Sequence, residues 1–79
     1  MDRESLITAA ISETESYRCV ASDSDLEIGH LYGMSDLITA LTIQDGESFS
    51  DTREEIAVRI DKEAGKKTYP LLKVNTYGG

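Results

Sequence analysis

Cys19 and His30 are the only thiol and the only imidazole in the 79-residue chain. A thiol beside an imidazole is the smallest pair that could do nucleophilic chemistry. If Tyr17–Ala21 and Leu26–Tyr32 pair as antiparallel strands around a Ser22–Asp25 turn, the two residues sit diagonally on one face, about 7–8 Å apart at the backbone. That face also carries Tyr17, Leu26, Ile28 and Tyr32, which gives it the character of a core, where cysteine serves as a small hydrophobe. No third orienting group or oxyanion-hole motif accompanies the pair. The expectation is a chain without catalytic residues; a cysteine-dependent enzyme using Cys19 and His30 is the alternative furthest from it.

Metal and cofactor chemistry finds little support. One cysteine and one histidine can make neither an internal disulfide nor a four-ligand zinc site. Asp45-Gly46-Glu47 resembles part of a calcium loop, but with Gly46 at the sixth position Leu41 and Ile43 fall where oxygen ligands belong. Met34-Ser-Asp-Leu37 invites comparison with acyl carrier proteins, whose prosthetic arm sits on the serine of Asp-Ser-Leu. The order here is reversed, and the flanking segments read as strands, so that comparison is set aside. No cofactor and no metal are expected.

Carboxylates remain. Fifteen acids stand against eight bases, for a net charge of −7. Residues 1–65 hold all fifteen acids and only five of the bases, whereas residues 66–79 hold three lysines and no acid. Such a body repels nucleic acid and anionic lipid and attracts a basic protein surface. Asp23, Asp25 and Glu27 alternate, and in an extended chain they would project on one side about 6.6 Å apart. That pitch suits Lys/Arg sites meant for a phosphate backbone. Asp36, Asp45, Glu47, Asp51, Glu54 and Glu55 form a second cluster around the Asp45-Gly46 turn. These nine residues are the candidate partner-binding set; Glu15 and Asp61 read as merely solvated.

The elements that must position these groups fit one domain over 1–79, with 77–79 frayed. Asp2 caps a first helix to about Glu13, with Leu6, Ile7, Ala10 and Ile11 as its apolar stripe. The 17–32 hairpin follows. Segment 36–44 fits a short helix through Leu37, Ile38 and Leu41 or a strand through Leu37, Thr39, Leu41 and Ile43; its β-branched content favours the strand. A second helix starts at Ser50 or Asp51, buries Ile56, Ala57, Ile60 and Ala64, and ends at Gly65. A last strand spans 68–76, with Pro70 marking an edge. The order α-β-β-β-α-β predicts an α+β fold, a mainly antiparallel sheet with two helices on one face.

The lone thiol, the absence of a signal-peptide pattern at Met1-Asp-Arg-Glu-Ser5 and the lack of a long apolar run predict a cytoplasmic protein. In size and charge, and in no motif, the chain resembles phage-encoded inhibitors of host defence, the anti-CRISPR and anti-restriction nucleic-acid mimics. That resemblance implies a non-catalytic inhibitor in the host cytoplasm whose acidic face engages a nucleic-acid-handling complex. A homo-oligomeric structural or adaptor subunit is the alternative, favoured by a thin core and a Pro70-bearing edge.

Overall fold

Buried positions recur at helical spacing along the chain. They are Ile7, Ala10, Thr14 and Arg18, then Glu27, Leu31, Ser35, Ile38 and Thr39, then Thr52, Ile56, Ala57, Ile60, Asp61 and Ala64. Each set follows the three-or-four-residue step that places side chains on one side of an α-helix. The computed structural model describes residues 2–20 and 24–72. It shows three helices: α1 (Arg3–Val20), α2 (Ser24–Thr42) and α3 (Phe49–Gly65).

The expected α+β domain, with its α-β-β-β-α-β order and antiparallel sheet, is therefore replaced by a small all-α domain. No strand occurs among the described residues. The first helix does not stop near Glu13 but continues through residues read as a strand as far as Val20, and residues 24–32 of the expected hairpin are the start of α2; residues 21–23 lie outside the described residues. Segment 36–44 takes its helical alternative as far as Thr42. Residues 68–72 are not a strand, and the remainder of that expected strand lies outside the described residues. Tertiary burial overrides local β-propensity in each case. Tyr17, Ile28 and Tyr32 favour strands singly, but Glu27, Leu31, Ser35 and Ile38 share one helix face that the other two helices cover.

Several local signals hold. The Asp2 carboxylate accepts from the Ser5 amide at 3.2 Å and from its hydroxyl at 2.9 Å, capping α1. Both bonds, the hydroxyl's foremost, hold the Asp2 carboxyl below its usual range. Asp45-Gly46 does turn the chain, with Gly46 at φ 91°, a conformation open to glycine at little cost. It joins two helices, not two strands. Ser48, two residues before the expected cap, accepts from the Asp51 amide at 3.3 Å and starts α3. At the far end, a methyl on Gly65 would come within 3.0 Å of the Pro70 nitrogen, so glycine lets the chain fold back against the helix.

α1 and α3 run in the same sense and α2 runs against both. Arg3 reaches Thr42, Glu4 reaches Arg59, and Arg18 reaches both Glu27 and Asp61. α3 packs more closely on either neighbour than α1 and α2 pack on each other. Ile7, Ala10, Leu31, Ile38, Ile56, Ala57 and Ile60 meet between the helices. Burying each larger side chain contributes about 1.5–3 kcal/mol. The buried hydroxyls of Thr14, Ser35 and Thr39 donate to the carbonyls of Ala10, Leu31 and Ser35, four residues back. Thus satisfied, they fill space much as alanine would.

Candidate functional site

Six of the nine candidate carboxylates gather at one end of the bundle, because the α2–α3 connection and the first two turns of α3 follow directly on the last turns of α2. Asp45 and Glu47 lie in the connection, Asp51, Glu54 and Glu55 on α3, and Asp36 on α2, where Arg53 of α3 approaches it at 3.4 Å. Three of the six are held by neighbours. Asp36 faces Arg53; Glu47 receives Arg3 through both guanidinium nitrogens at 3.0 and 2.7 Å; Glu54 accepts from the Tyr32 hydroxyl at 2.7 Å. The Tyr32–Glu54 bond, with partial burial, pushes the phenol's pKa up. Asp45, Asp51 and Glu55 are exposed, and no base among the described residues stands within salt-bridge distance of them. Bases do stand near them: Glu55 shares a cleft with Arg3 and Arg59, and with Asp51 it lines another beside Arg59 and Lys62, but Arg3 is bonded to Glu47 and Arg59 is turned toward Glu4 at 2.6 Å.

The Arg3–Glu47 pair makes a checkable prediction. Arg3 donating to its carboxylate, helped by the Gln44 amide at 2.9 Å, lowers Glu47 to about 2. A depressed folded-state pKa means the pair's contribution is present above the unfolded carboxylate pKa, about 4.3, and is lost as pH falls toward 2. A carbon-13 titration of the Glu47 carboxyl is expected to show a midpoint near 2. In Arg3→Ala it should return toward about 4.3. A wild-type midpoint already there would mean the pair does not form.

The row expected from Asp23, Asp25 and Glu27 needs an extended chain, and residues 24–27 are helical instead. Asp23 lies outside the described residues. Asp25 and Glu27 are two apart on a helix and so point to opposite sides. Asp25 is exposed, whereas Glu27 is only 4% exposed and accepts from the Tyr69 hydroxyl at 2.9 and 3.1 Å.

Glu27 belongs to a buried charge cluster that the sequence did not suggest. Arg18 lies between two carboxylates, bonded through one guanidinium nitrogen to Asp61 and with its Nε 3.7 Å from Glu27, too far for a hydrogen bond. Its other terminal nitrogen donates to the Tyr69 carbonyl, and the guanidinium lies over the Tyr69 ring at 5.5 Å. Asp61 also accepts from the amides of Leu71 (2.8 Å) and Leu72 (2.9 Å). The cluster thus fastens residues 69–72 across the ends of α1 and α3. Asp61 is not solvated as expected; it is 2% exposed. Its place four residues after Ala57, on the stripe of α3, was the available signal.

Cys19 falls in the last turn of α1, and its side chain lies outside the described part of the structure. His30 stacks on Tyr17, ring centroids 4.1 Å apart, and its Nε2 is 3.9 Å from Glu13. The strand ground for setting aside the acyl-carrier comparison no longer holds, since Ser35 is on a helix. Ser35 is, however, fully buried with its hydroxyl donated to Leu31, so it offers no attachment point. Among the described residues no three His, Cys, Asp or Glu side chains group to hold a metal ion, and no helix is long and apolar enough to cross a membrane. No protein-family model, curated protein or solved structure matches the chain.

Proposed function

We propose that the chain is a non-catalytic protein-binding module whose acidic end, built around Asp45, Asp51 and Glu55, engages a basic protein surface. The observation that carries this reading is the uneven neutralisation of the carboxylates. Glu4, Asp36, Glu47, Asp61 and Glu27 each have an arginine close by, while these three exposed groups have no base within salt-bridge distance among the described residues. The α3 macrodipole accounts for Asp51 in the first turn, but its influence fades within that turn. It does not account for Asp45 before the helix or Glu55 in its second turn.

Like charges left facing solvent repel one another, and an incoming cationic surface relieves that repulsion and is steered by it. Arginine serves such a surface best, since its fork can grip a carboxylate through two bonds. Arginines and lysines that hold a nucleic-acid backbone have this chemistry, so the proposed occupant is the basic surface of a nucleic-acid-handling complex. Occupying those sites would make the chain an inhibitor. With residues 24–27 helical, this reading rests on the α2–α3 end alone.

The immobilised chain, incubated with lysate of its source organism, is expected to retain a basic protein at about 0.05 M salt and release it at about 0.5 M, where screening shortens to a few ångströms. Retention only of proteins that stay bound at the higher salt would overturn the reading.

A further inference from the structure

Gly29 and Gly33 stand one turn apart on α2, and nothing among the described residues calls for them. Gly46 is the only described glycine with positive φ, and a methyl on either α2 glycine would meet no atom of the described residues within 4 Å. Glycine is the poorest helix former after proline. A helix that carries two on an open face forgoes stability without packing among the described residues in return. Outside the chain, glycine has one physical use on such a face: it lets another backbone come close.

The same face is apolar. At 100° per residue, Gly29, Gly33, Leu37 and Ala40 lie within an arc of about 80°, opposite the buried Leu31 and Ser35. Leu37 is 61% exposed and Leu41, about 40° beyond the arc on the His30 side, 51%. The arc itself holds no charged residue. Its borders are mainly acidic. Asp36 lies on the α3 side, followed by Glu54; Glu13 lies on the α1 side, near His30. Arg53 is the one arginine on these borders, and it faces Asp36.

We infer that this face of α2 docks an amphipathic helix of another protein, one whose apolar stripe is bordered by lysine or arginine. The stripe covers Leu37 and Leu41, the backbone passes close over Gly29 and Gly33, and the basic borders meet Glu13, Asp36 and Glu54. A second copy of this chain fits less well, because it would bring the same acidic borders and a further net charge of −7. The surface adjoins the acidic end, where Asp36 and Glu54 also lie, but uses none of Asp45, Asp51 and Glu55, so either can fail without the other.

The probe is a labelled amphipathic Leu/Lys peptide of about 18 residues, long enough to be helical once bound, with a Leu/Glu peptide of the same pattern beside it. By fluorescence anisotropy and amide chemical shifts, the Leu/Lys peptide is expected to bind, with the largest shifts over residues 29–41, and the Leu/Glu peptide not to bind. Gly33→Leu should weaken binding at least tenfold while its melting temperature does not fall, because leucine is the better helix former and nothing occupies the space. Leu37→Ser with Leu41→Ser should weaken binding similarly. Charge reversal of Asp45, Asp51 and Glu55 should leave the shifts at Gly33 in place. Three results would overturn the inference: no binding of the Leu/Lys peptide, equal binding to Gly33→Leu, or sedimentation of the free chain as a dimer that Gly33→Leu dissociates.

Discussion

Replacing Arg18 by alanine is expected to destabilise the fold by about 3–5 kcal/mol, the usual cost of removing one member of a buried ion pair. That is a large part of the stability of a domain this small. It corresponds to a melting temperature lower by roughly 15–30 °C, or to no cooperative transition at all. Arg18 and its two carboxylate neighbours have side chains only 1–3% exposed. Without the guanidinium, Glu27 and Asp61 are left as two buried like charges, and the Tyr69 carbonyl loses its donor. The comparison that isolates burial is Arg53→Ala. Arg53 and its partner Asp36 are 38% and 49% exposed, and exposed pairs contribute at most about 1 kcal/mol. Thermal unfolding of both variants by circular dichroism checks this, and amide exchange at Leu71 and Leu72 should accelerate in Arg18→Ala. Equal losses in the two variants would mean the buried cluster does not hold the ends of α1 and α3 together.

Reversing Asp45, Asp51 and Glu55 to lysine is expected to weaken binding of the basic partner at least a hundredfold, about 2.8 kcal/mol. The reversal both removes attraction and introduces repulsion. The fold should survive it. All three side chains are exposed and none of their carboxylates accepts a described hydrogen bond, so only the change at Asp51, in the first turn of α3, bears on stability, by up to about 1 kcal/mol. Reversing Asp25 and Glu27 would be a poor substitute: a lysine at position 27 would sit against Arg18 in the buried cluster and would unfold the chain for reasons unrelated to binding.

How much could be read in advance depended on which residues marked the buried face. α3 was legible because its stripe is apolar, Ile56, Ala57, Ile60 and Ala64, and Gly65 ends it. α2 was not, because three of its five buried residues, Glu27, Ser35 and Thr39, are polar. Their hydrogen bonds are satisfied within the helix or by Tyr69, so polarity gave no sign of exposure. The second half of α1 was obscured in the same way by Thr14 and Arg18. Local cues such as Asp2 and Asp45-Gly46 kept their meaning, and α3 ends at Gly65 but without a left-handed glycine cap; a turn, however, does not say whether it joins strands or helices.

The acidic cluster fared likewise. Residues 45–55 are close in sequence, so they are close in space whatever elements they form. The row at 23–27 depended on an extended backbone, and once that stretch opens a helix its alternate residues part. Asp61 was placed in solvent on residue type alone, although its spacing put it on the buried side of α3.

The central claim is that exposed carboxylates outside any described salt bridge at the α2–α3 end draw in a basic partner. Its most direct test is the association rate constant of the captured partner, measured by stopped flow across a salt series. The rate is expected to fall at least tenfold between about 0.05 M and about 0.5 M salt, with a much smaller change in dissociation. The Asp45→Lys, Asp51→Lys, Glu55→Lys variant should start low and lose that dependence. An association rate indifferent to salt, or equal in wild type and variant, would contradict the claim.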